Sequence, residues 1–430
     1  MYSVTNQNIS VVTNSNKNRS IAEYLANFIF EEKEDLFATD NKTTIDSLQI
    51  QNQQIPVFIN EYWTSKQRQS SSIHEISYRA CFKAQLPRFF IKLLTKETDI
   101  VYDPFAGRGT TLIEAALLAR NVIGNDVNPL SRILTLPRLS VPSVSDVESR
   151  LSLIPINKSL SNKIDLSMFY HPKTLHEILS IRQYLQTRSR KNLEDKIESW
   201  IRMVATNRLT GHSKGFFSVY SLPPNQAMSA EKQLKINKLR KQKPEFRDTK
   251  ELILRKTKSL LSDISNQQIY NLSQASQKTL FLTKDARETS EIKSGSVQLT
   301  VTSPPFLDVV QYAEDNWLRC WFNHIDAKKV ERNITMSKRI NDWCSVMQGV
   351  FHELFRITKH LGFVAFEVGE VRGGKIKLEE YVVPLGLSAG FECIGIMINL
   401  QEFTKTANIW GVSNNKKGTN TNRIVLFRKQ

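Results

Sequence analysis

Residues 99–129 read DIVYDPFAGRGTTLIEAALLARNVIGNDVNP, and the reading of this stretch decides the fold. The apolar run Ile100 to Tyr102 predicts a buried strand. Pro104 ends it, because proline has no N–H to give to a ladder. Gly107 and Gly109 then let the backbone turn sharply and approach a ligand closely. An amphipathic helix follows, and its free N-terminal N–H groups favour polar or anionic ligand atoms. The next strand, VIGN, leads into Asp126, seventeen residues past Gly109. A carboxylate at that point accepts both hydroxyls of a ribose. Strand, glycine turn, helix and strand make the repeating unit of a doubly wound α/β sheet.

Outward from this unit the chain keeps the same alternation. AQLPRFFIKLLT (84–95) predicts a short helix upstream. Strands are expected at TLFLTKDA (279–286) and VQLTVTSPP (297–305). A helix is expected through WCSVMQGVFHELFRITKHL (343–361), then strands at GFVAFEVGEV (362–371), GFECIGIMIN (390–399) and NRIVLFRK (422–429). Residues 150 to 275 differ: they are helix-like, polar and basic around a loop-like centre, LTGHSKGFFSVYSLPPNQ (209–226). An interruption this long should fold as a substantial unit rather than a loop. The Asn-, Ser- and Gln-rich residues 1–55 are expected to be a loosely ordered arm with one helical piece in IAEYLANFIFEEKEDLF (21–37).

At 430 residues the chain exceeds one ordinary domain, and 40% hydrophobic residues suffice for a core. No stretch approaches the roughly 18 apolar residues of a membrane span. The polar first twenty residues lack an apolar signal core, so the expected location is the cytoplasm, at the nucleoid. Cys81, Cys320, Cys344 and Cys393 are scattered, without metal-ligand spacing. They are expected to be buried thiols, and no metal site is expected. Lys and Arg number 59 against 42 Asp and Glu, a formal charge of +17. This excess points to a polyanionic partner, nucleic acid first. It concentrates between Lys232 and Lys258, with eleven basic and three acidic residues. That segment reads equally as a solvated helical face or as a phosphate-contacting surface.

The ligand of the glycine turn is not a dinucleotide by pattern, since Leu112 stands where a third glycine would be. Asp103-Pro104-Phe105 and Thr110-Thr111 are foreign to that pattern too. A second motif, Ser303-Pro304-Pro305-Phe306, stops a strand dead. Taken alone it is a plain turn or the wall of a pocket. Together the two resemble the amino-methyltransferases that use S-adenosylmethionine, whose motifs run D-P-F-x-G-x-G-T-T and (S/T/D/N)-P-P-(Y/F). The segment WTSKQRQSSSIHEISYRACFKAQLPRFF (63–90) is similar to the one preceding the first motif in DNA N4-cytosine methyltransferases. The resemblance runs from about residue 56 to the C-terminus.

It implies an α/β, class I methyltransferase (Rossmann-like) sheet flanked by helices, with a mainly helical inserted target-recognition region. The implied parts are an arm at 1–55, a cofactor-binding part at 56–135, a basic DNA-reading insertion at 136–275 and a catalytic part at 276–430. Asp103, Phe105, Gly107, Gly109, Thr110 and Asp126 would surround S-adenosylmethionine, with Asp285 at its adenine amino group. His74 and Tyr78 would flank its methionine end. Ser303 and the Pro304 carbonyl would take the two hydrogens of a target amino group, and Phe306 would stack a flipped base. The implied partners are double-stranded DNA and a cognate restriction endonuclease. Carbon-5 methylation of cytosine needs a cysteine nucleophile, and no cysteine here follows a proline or adjoins residues 303–306. Serine at 303 favours cytosine N4, without excluding adenine N6. A non-catalytic basic DNA-binding protein is the third reading, and intact Gly107, Gly109, Asp126 and Ser303 argue against it.

Overall fold

The computed structural model describes residues 17–30, 42–63, 70–79, 81–222, 227–305, 312–334, 339–371, 376–400 and 421–430. In chain order its elements are α1 (Lys17–Ala26), β1 (Thr44–Ile50), β2 (Gln53–Asn60), α2 (Gln85–Leu94), β3 (Ile100–Asp103), α3 (Thr110–Leu117) and β4 (Asn121–Asn125). A run of helices follows: α4 (Pro129–Leu139), α5 (Val144–Leu153), α6 (Pro172–Arg190), α7 (Lys196–Arg208), α8 (Ala230–Leu239), α9 (Thr249–Leu260) and α10 (Asn266–Lys278). Then come β5 (Leu280–Leu282), β6 (Val297–Thr302), α11 (Tyr312–Phe322), α12 (Ala327–Asn333), α13 (Ile340–Ile357), β7 (Thr358–Val368), β8 (Glu370–Val371), β9 (Ile376–Lys377), α14 (Glu379–Ser388), β10 (Phe391–Leu400) and β11 (Thr421–Lys429). Among the described residues no helix is long and apolar enough to cross a membrane.

The main sheet runs β1-β2-β10-β11-β7-β6-β3-β4-β5. Strands β5, β4, β3, β6 and β7 are parallel, and β11 lies antiparallel between β7 and β10. This is the expected class I methyltransferase (Rossmann-like) sheet. Chain order reverses between β3 and β6, so their carboxyl ends diverge into a crevice where ligands bind in such sheets. Both faces are covered, and successive residues of β7 alternate between them. Phe363 and Ala365 join the cluster with Leu112 and Val122. Val364 and Phe366 join the opposite one with Val350 and Phe351. A strand buried on both faces is apolar throughout, which is why FVAF was legible. The helices between β4 and β5 have a third core of their own, built on Trp200, Ile201 and Leu260.

Three expectations are corrected. Residues 44–55 are not part of a loose arm; with 56–60 they form the hairpin of β1 and β2, and β2 adds to the sheet beside β10. The polar sequence of β1 hid this, because β1 is an edge strand exposed along most of its length. Pro56 is tolerated since pairing with β10 begins only at Val57. The helix expected to reach Leu361 ends at Ile357. Thr358 already pairs with Val297, and the register then slips before Phe363 meets Leu299, with Leu361 at φ 62°. This bulge breaks the alternation that marks a strand start. Helices α11, α12 and α14 were unread, and Pro384 inside α14 is an internal proline that argues against a helix.

Candidate active site

At the carboxyl ends of β3, β4, β5 and β6 lies one cavity of about 1080 Å³, its open mouth included. Asp103, Phe105, Gly107, Thr110, Asp126 and Asp285 line it from the cofactor-motif side, and Ser303, Pro304 and Pro305 from the other. The two motifs, about 200 residues apart in sequence, therefore share one wall-to-wall space. Phe306 lies outside the described residues.

Gly107 faces the cavity with φ 52°, and a Cβ there would meet Cys81 Sγ at 3.7 Å and Tyr78 at 3.8 Å. Gly109 does something else. It is not a cavity residue; with φ 75° it turns its back on Thr135, and a Cβ would sit 2.3 Å from Thr135 Oγ1. Gly109 thus seats the start of α3 against α4 rather than approaching a ligand. Gly109→Ala should lower stability by roughly 1–3 kcal/mol, through overpacking and a left-handed backbone. A melting temperature equal to the parent's would show that Thr135 gives way freely.

The acidic turn after β4 is built from backbone donors. Asp126 Oδ2 accepts the Gly107 N–H at 2.7 Å and Oδ1 accepts the Asn128 N–H at 2.9 Å. Asn128 caps α4 through the Leu130 N–H and donates to the Tyr78 hydroxyl at 3.1 Å. Burial pushes the Asp126 carboxyl up to about 6 and Asp103 up to about 7. Asp103 is committed locally, accepting from Thr302 Oγ1 at 2.6 Å and the Phe105 N–H at 3.1 Å. Asn125 ties three strand ends together, donating to the Pro104 and Lys284 carbonyls and accepting the Lys284 N–H. Asp285 reaches the cavity with its carboxylate already held by Arg287, at 2.6 Å and 3.0 Å. That pairing holds it below the usual carboxylate range.

His74 does not line the cavity. It is buried, and its Nε2 meets Glu114 Oε2 at 2.8 Å, while Arg88 holds Glu114 Oε1 at 2.7 Å. Its neighbour Tyr78 does line the cavity. Arg108, inside the glycine turn, donates to the carbonyls of His74 and Ile76 at 3.3 Å and 2.7 Å. The segment before the first motif is thereby strapped onto it.

Two residues that sequence reasoning missed hold the Ser303 turn. Glu367, buried near the end of β7, follows Phe366, which pairs with Thr302, and so lies beside Ser303, whose side chain favours the ionised carboxylate. Asn422 Nδ2 donates to that carboxylate at 2.7 Å. Burial raises the Glu367 carboxyl above its ordinary value. An acid inside the apolar run FVAFEV was the available signal. On the other side Trp343, fully buried on α13, donates its indole N–H to the Pro305 carbonyl at 3.0 Å. Nothing in the sequence marked it. Trp343→Phe keeps the ring but releases that carbonyl. It should lower kcat about tenfold, a loss of roughly 1–1.5 kcal/mol, with cofactor affinity unchanged in calorimetry. Equal loss of both would mean the ring, not the hydrogen bond, matters.

Burial raises all four thiols, Cys320 to about 11 and Cys393 to about 12. None is an activated thiolate.

A family profile described as "DNA methylase", for N6- and N4-directed enzymes, matches residues 5–131. The Type II methyltransferase M.MvaI of Kocuria varians is 25% identical over 298 residues, 63% of this chain and 60% of that protein. M.HindIII of Haemophilus influenzae, another Type II methyltransferase, is 54% identical over 43 residues, 10% of this chain and 14% of its own. The chain thus spans less than two thirds of these curated relatives. Among solved structures, one described as a "Putative DNA Modification Methylase" from Thermus thermophilus, complexed with S-adenosyl-L-methionine, is 21% identical. It covers 34% of this chain and 53% of its own, with a TM-score of 0.21.

Proposed function

We propose that this chain, whose residues 5–131 match an N6/N4 DNA methylase profile, methylates the N4 amino group of cytosine in double-stranded DNA, using S-adenosyl-L-methionine. The observation that carries this reading is the cavity lined both by Asp126 and by Ser303-Pro304-Pro305. The cavity fits the cofactor. Asp126 is a half-buried carboxylate that accepts two backbone N–H groups and is still pushed up to about 6. A carboxylate so short of donors suits two ribose hydroxyls. Asp285 would meet the adenine amino group with the acceptor capacity that Arg287 leaves it. Tyr78 and Gly107 would bound the rest.

When bound, S-adenosyl-L-methionine supplies an electrophilic methyl group on a sulfonium. The protein's task is to aim a weak nucleophile, an amino nitrogen whose lone pair is delocalised into its ring. A hydroxyl has one hydrogen and two lone pairs. With Glu367 ionised, Ser303 gives its hydrogen to that carboxylate and faces the target as an acceptor. Ser303 Oγ and the Pro304 carbonyl then take the two amino hydrogens, which localises the nitrogen lone pair toward the methyl. This is catalysis by orientation and by hydrogen bonds that strengthen in the transition state. The nitrogen sheds one proton as its new bond forms, and Ser303 lies on the path from it to Glu367. On the likeness to Type II methyltransferases, a partner restriction endonuclease belongs to the same proposal.

The test is mass spectrometry of nucleosides from duplex DNA treated with protein and cofactor. N4-methylcytosine is expected. N6-methyladenine alone would move the reading to the adenine branch, and no methylated nucleoside would sink it.

A further inference from the structure

The basic residues between Lys232 and Lys258 divide into two populations. Most of the later ones are engaged by the protein itself. Arg247 donates to the Ser213 and Phe216 carbonyls at 3.1 Å and 2.7 Å. Lys250 donates to the Ile154 carbonyl at 2.7 Å, Arg255 to the Lys214 carbonyl at 3.4 Å, and Lys256 pairs with Glu75 at 3.2 Å. The earlier ones, Lys232, Lys235, Lys238, Arg240, Lys241 and Lys243, are exposed, and among the described residues none has a carboxylate partner. No acidic residue interrupts them from 232 to 243.

Helix α8 is bolted down on one side only. Gln233 is fully buried and donates to the Tyr220 carbonyl at 3.0 Å, and Asn237 donates to the Met168 carbonyl at 2.8 Å. At 3.6 residues per turn, the opposite face carries Lys232, Lys235, Lys238 and Leu239, with Leu234 on its flank. The two leucines are 54% and 84% exposed, which phosphate contact alone does not explain. Just past the helix, the Arg240 guanidinium lies 3.8 Å over the Tyr220 ring. The helix also starts against α11. Ala227 donates its N–H to the Asp315 carbonyl at 2.7 Å, and Trp317 Nε1 donates to the Met228 carbonyl at 3.1 Å. Asp315 and Trp317 sit on α11, the first helix after Ser303-Pro304-Pro305.

We propose that this face of α8 lies in the major groove of the DNA duplex, its lysines on phosphates and Leu239 toward base edges. A ten-residue helix is about 15 Å long, and the B-form major groove, about 12 Å wide, admits one and offers thymine methyl groups to apolar side chains. The mutual repulsion of the unpartnered cations is relieved there by phosphate and counterion release. The inference rests on the DNA methyltransferase reading and assigns its substrate-binding face.

The test is duplex binding by fluorescence anisotropy across a salt series. Reversal of Lys232, Lys235 and Lys238 to Glu should flatten the slope of log K against log salt by about 2.7, or about 0.9 for each lost phosphate contact. Affinity at 0.1 M salt should fall on the order of 30- to 100-fold. Lys→Gln at the same three positions, a milder change, should move both in the same direction if the reversed variant fails to fold. Leu239→Ala should leave the slope alone and reduce the preference for a duplex that the protein methylates over random duplex. An unchanged slope in a folded variant that still binds S-adenosylmethionine would place the DNA elsewhere and leave the methyltransferase reading standing. Failure of the parent protein to bind duplex at all would overturn both.

Discussion

Ser303→Ala should lower kcat by on the order of 100- to 1000-fold, the usual loss when one positioned transition-state hydrogen bond is removed, while the affinities for cofactor and DNA stay within about twofold. The loss belongs to kcat because the contact strengthens as the amino nitrogen releases its lone pair. Glu367 makes the prediction sharper. Glu367→Gln preserves shape but cannot hold the Ser303 hydrogen as a charged acceptor does. Burial raises the Glu367 carboxyl, so in the parent activity should fall as pH drops through that raised value, and the Gln variant should lose this acid limb. The stability sign runs the other way. A raised folded-state pKa contributes stability below the unfolded value, and that contribution is lost as pH rises through the folded one. At neutral pH Glu367→Gln should therefore be at least as stable as the parent. A variant with full kcat and an unchanged pH profile would remove Glu367 from the reaction.

Asp126→Ala should weaken cofactor binding by on the order of 1–3 kcal/mol, about 10- to 100-fold, for a lost pair of hydrogen bonds to a charged acceptor. The parent should show a matching pH dependence. With Asp126 pushed up to about 6, affinity should fall below that pH by up to about tenfold per unit. The free protein gains from protonating Asp126. That contribution is present below the ordinary carboxyl value and lost as pH rises through about 6. The melting-temperature shift on adding S-adenosylmethionine should consequently be larger at pH 8 than at pH 5. Asp126→Ala should show a small shift that varies little with pH. An Asp126→Ala protein with parental affinity in calorimetry would move the ribose elsewhere in the cavity.

Local chemistry was enough to make the strand–turn–helix–strand unit at 100–125 legible from sequence. Proline ends β3, glycine allows the turn, and the apolar runs of β3, β4 and β7 have no polar face because both faces are covered. The two motifs were legible for the same reason, each being a contiguous set of residues with few alternative uses. What sequence left open depended on partners distant in the chain. Only the packed sheet brings Glu367 to Ser303 and Trp343 to the Pro305 carbonyl, since neighbouring strand ends and a covering helix meet there and nowhere in the linear order. Only the packing of α4 distinguishes Gly109, closed off by Thr135, from Gly107, open to the cavity. The hairpin at 44–60 joins the sheet because β10 offers β2 an edge. The basic run 232–258 shows in sequence only that its acidic residues fall in its second half, and packing divides it further: a lysine or arginine near a free carbonyl or carboxylate is engaged by the protein, and one with none in reach stays in water.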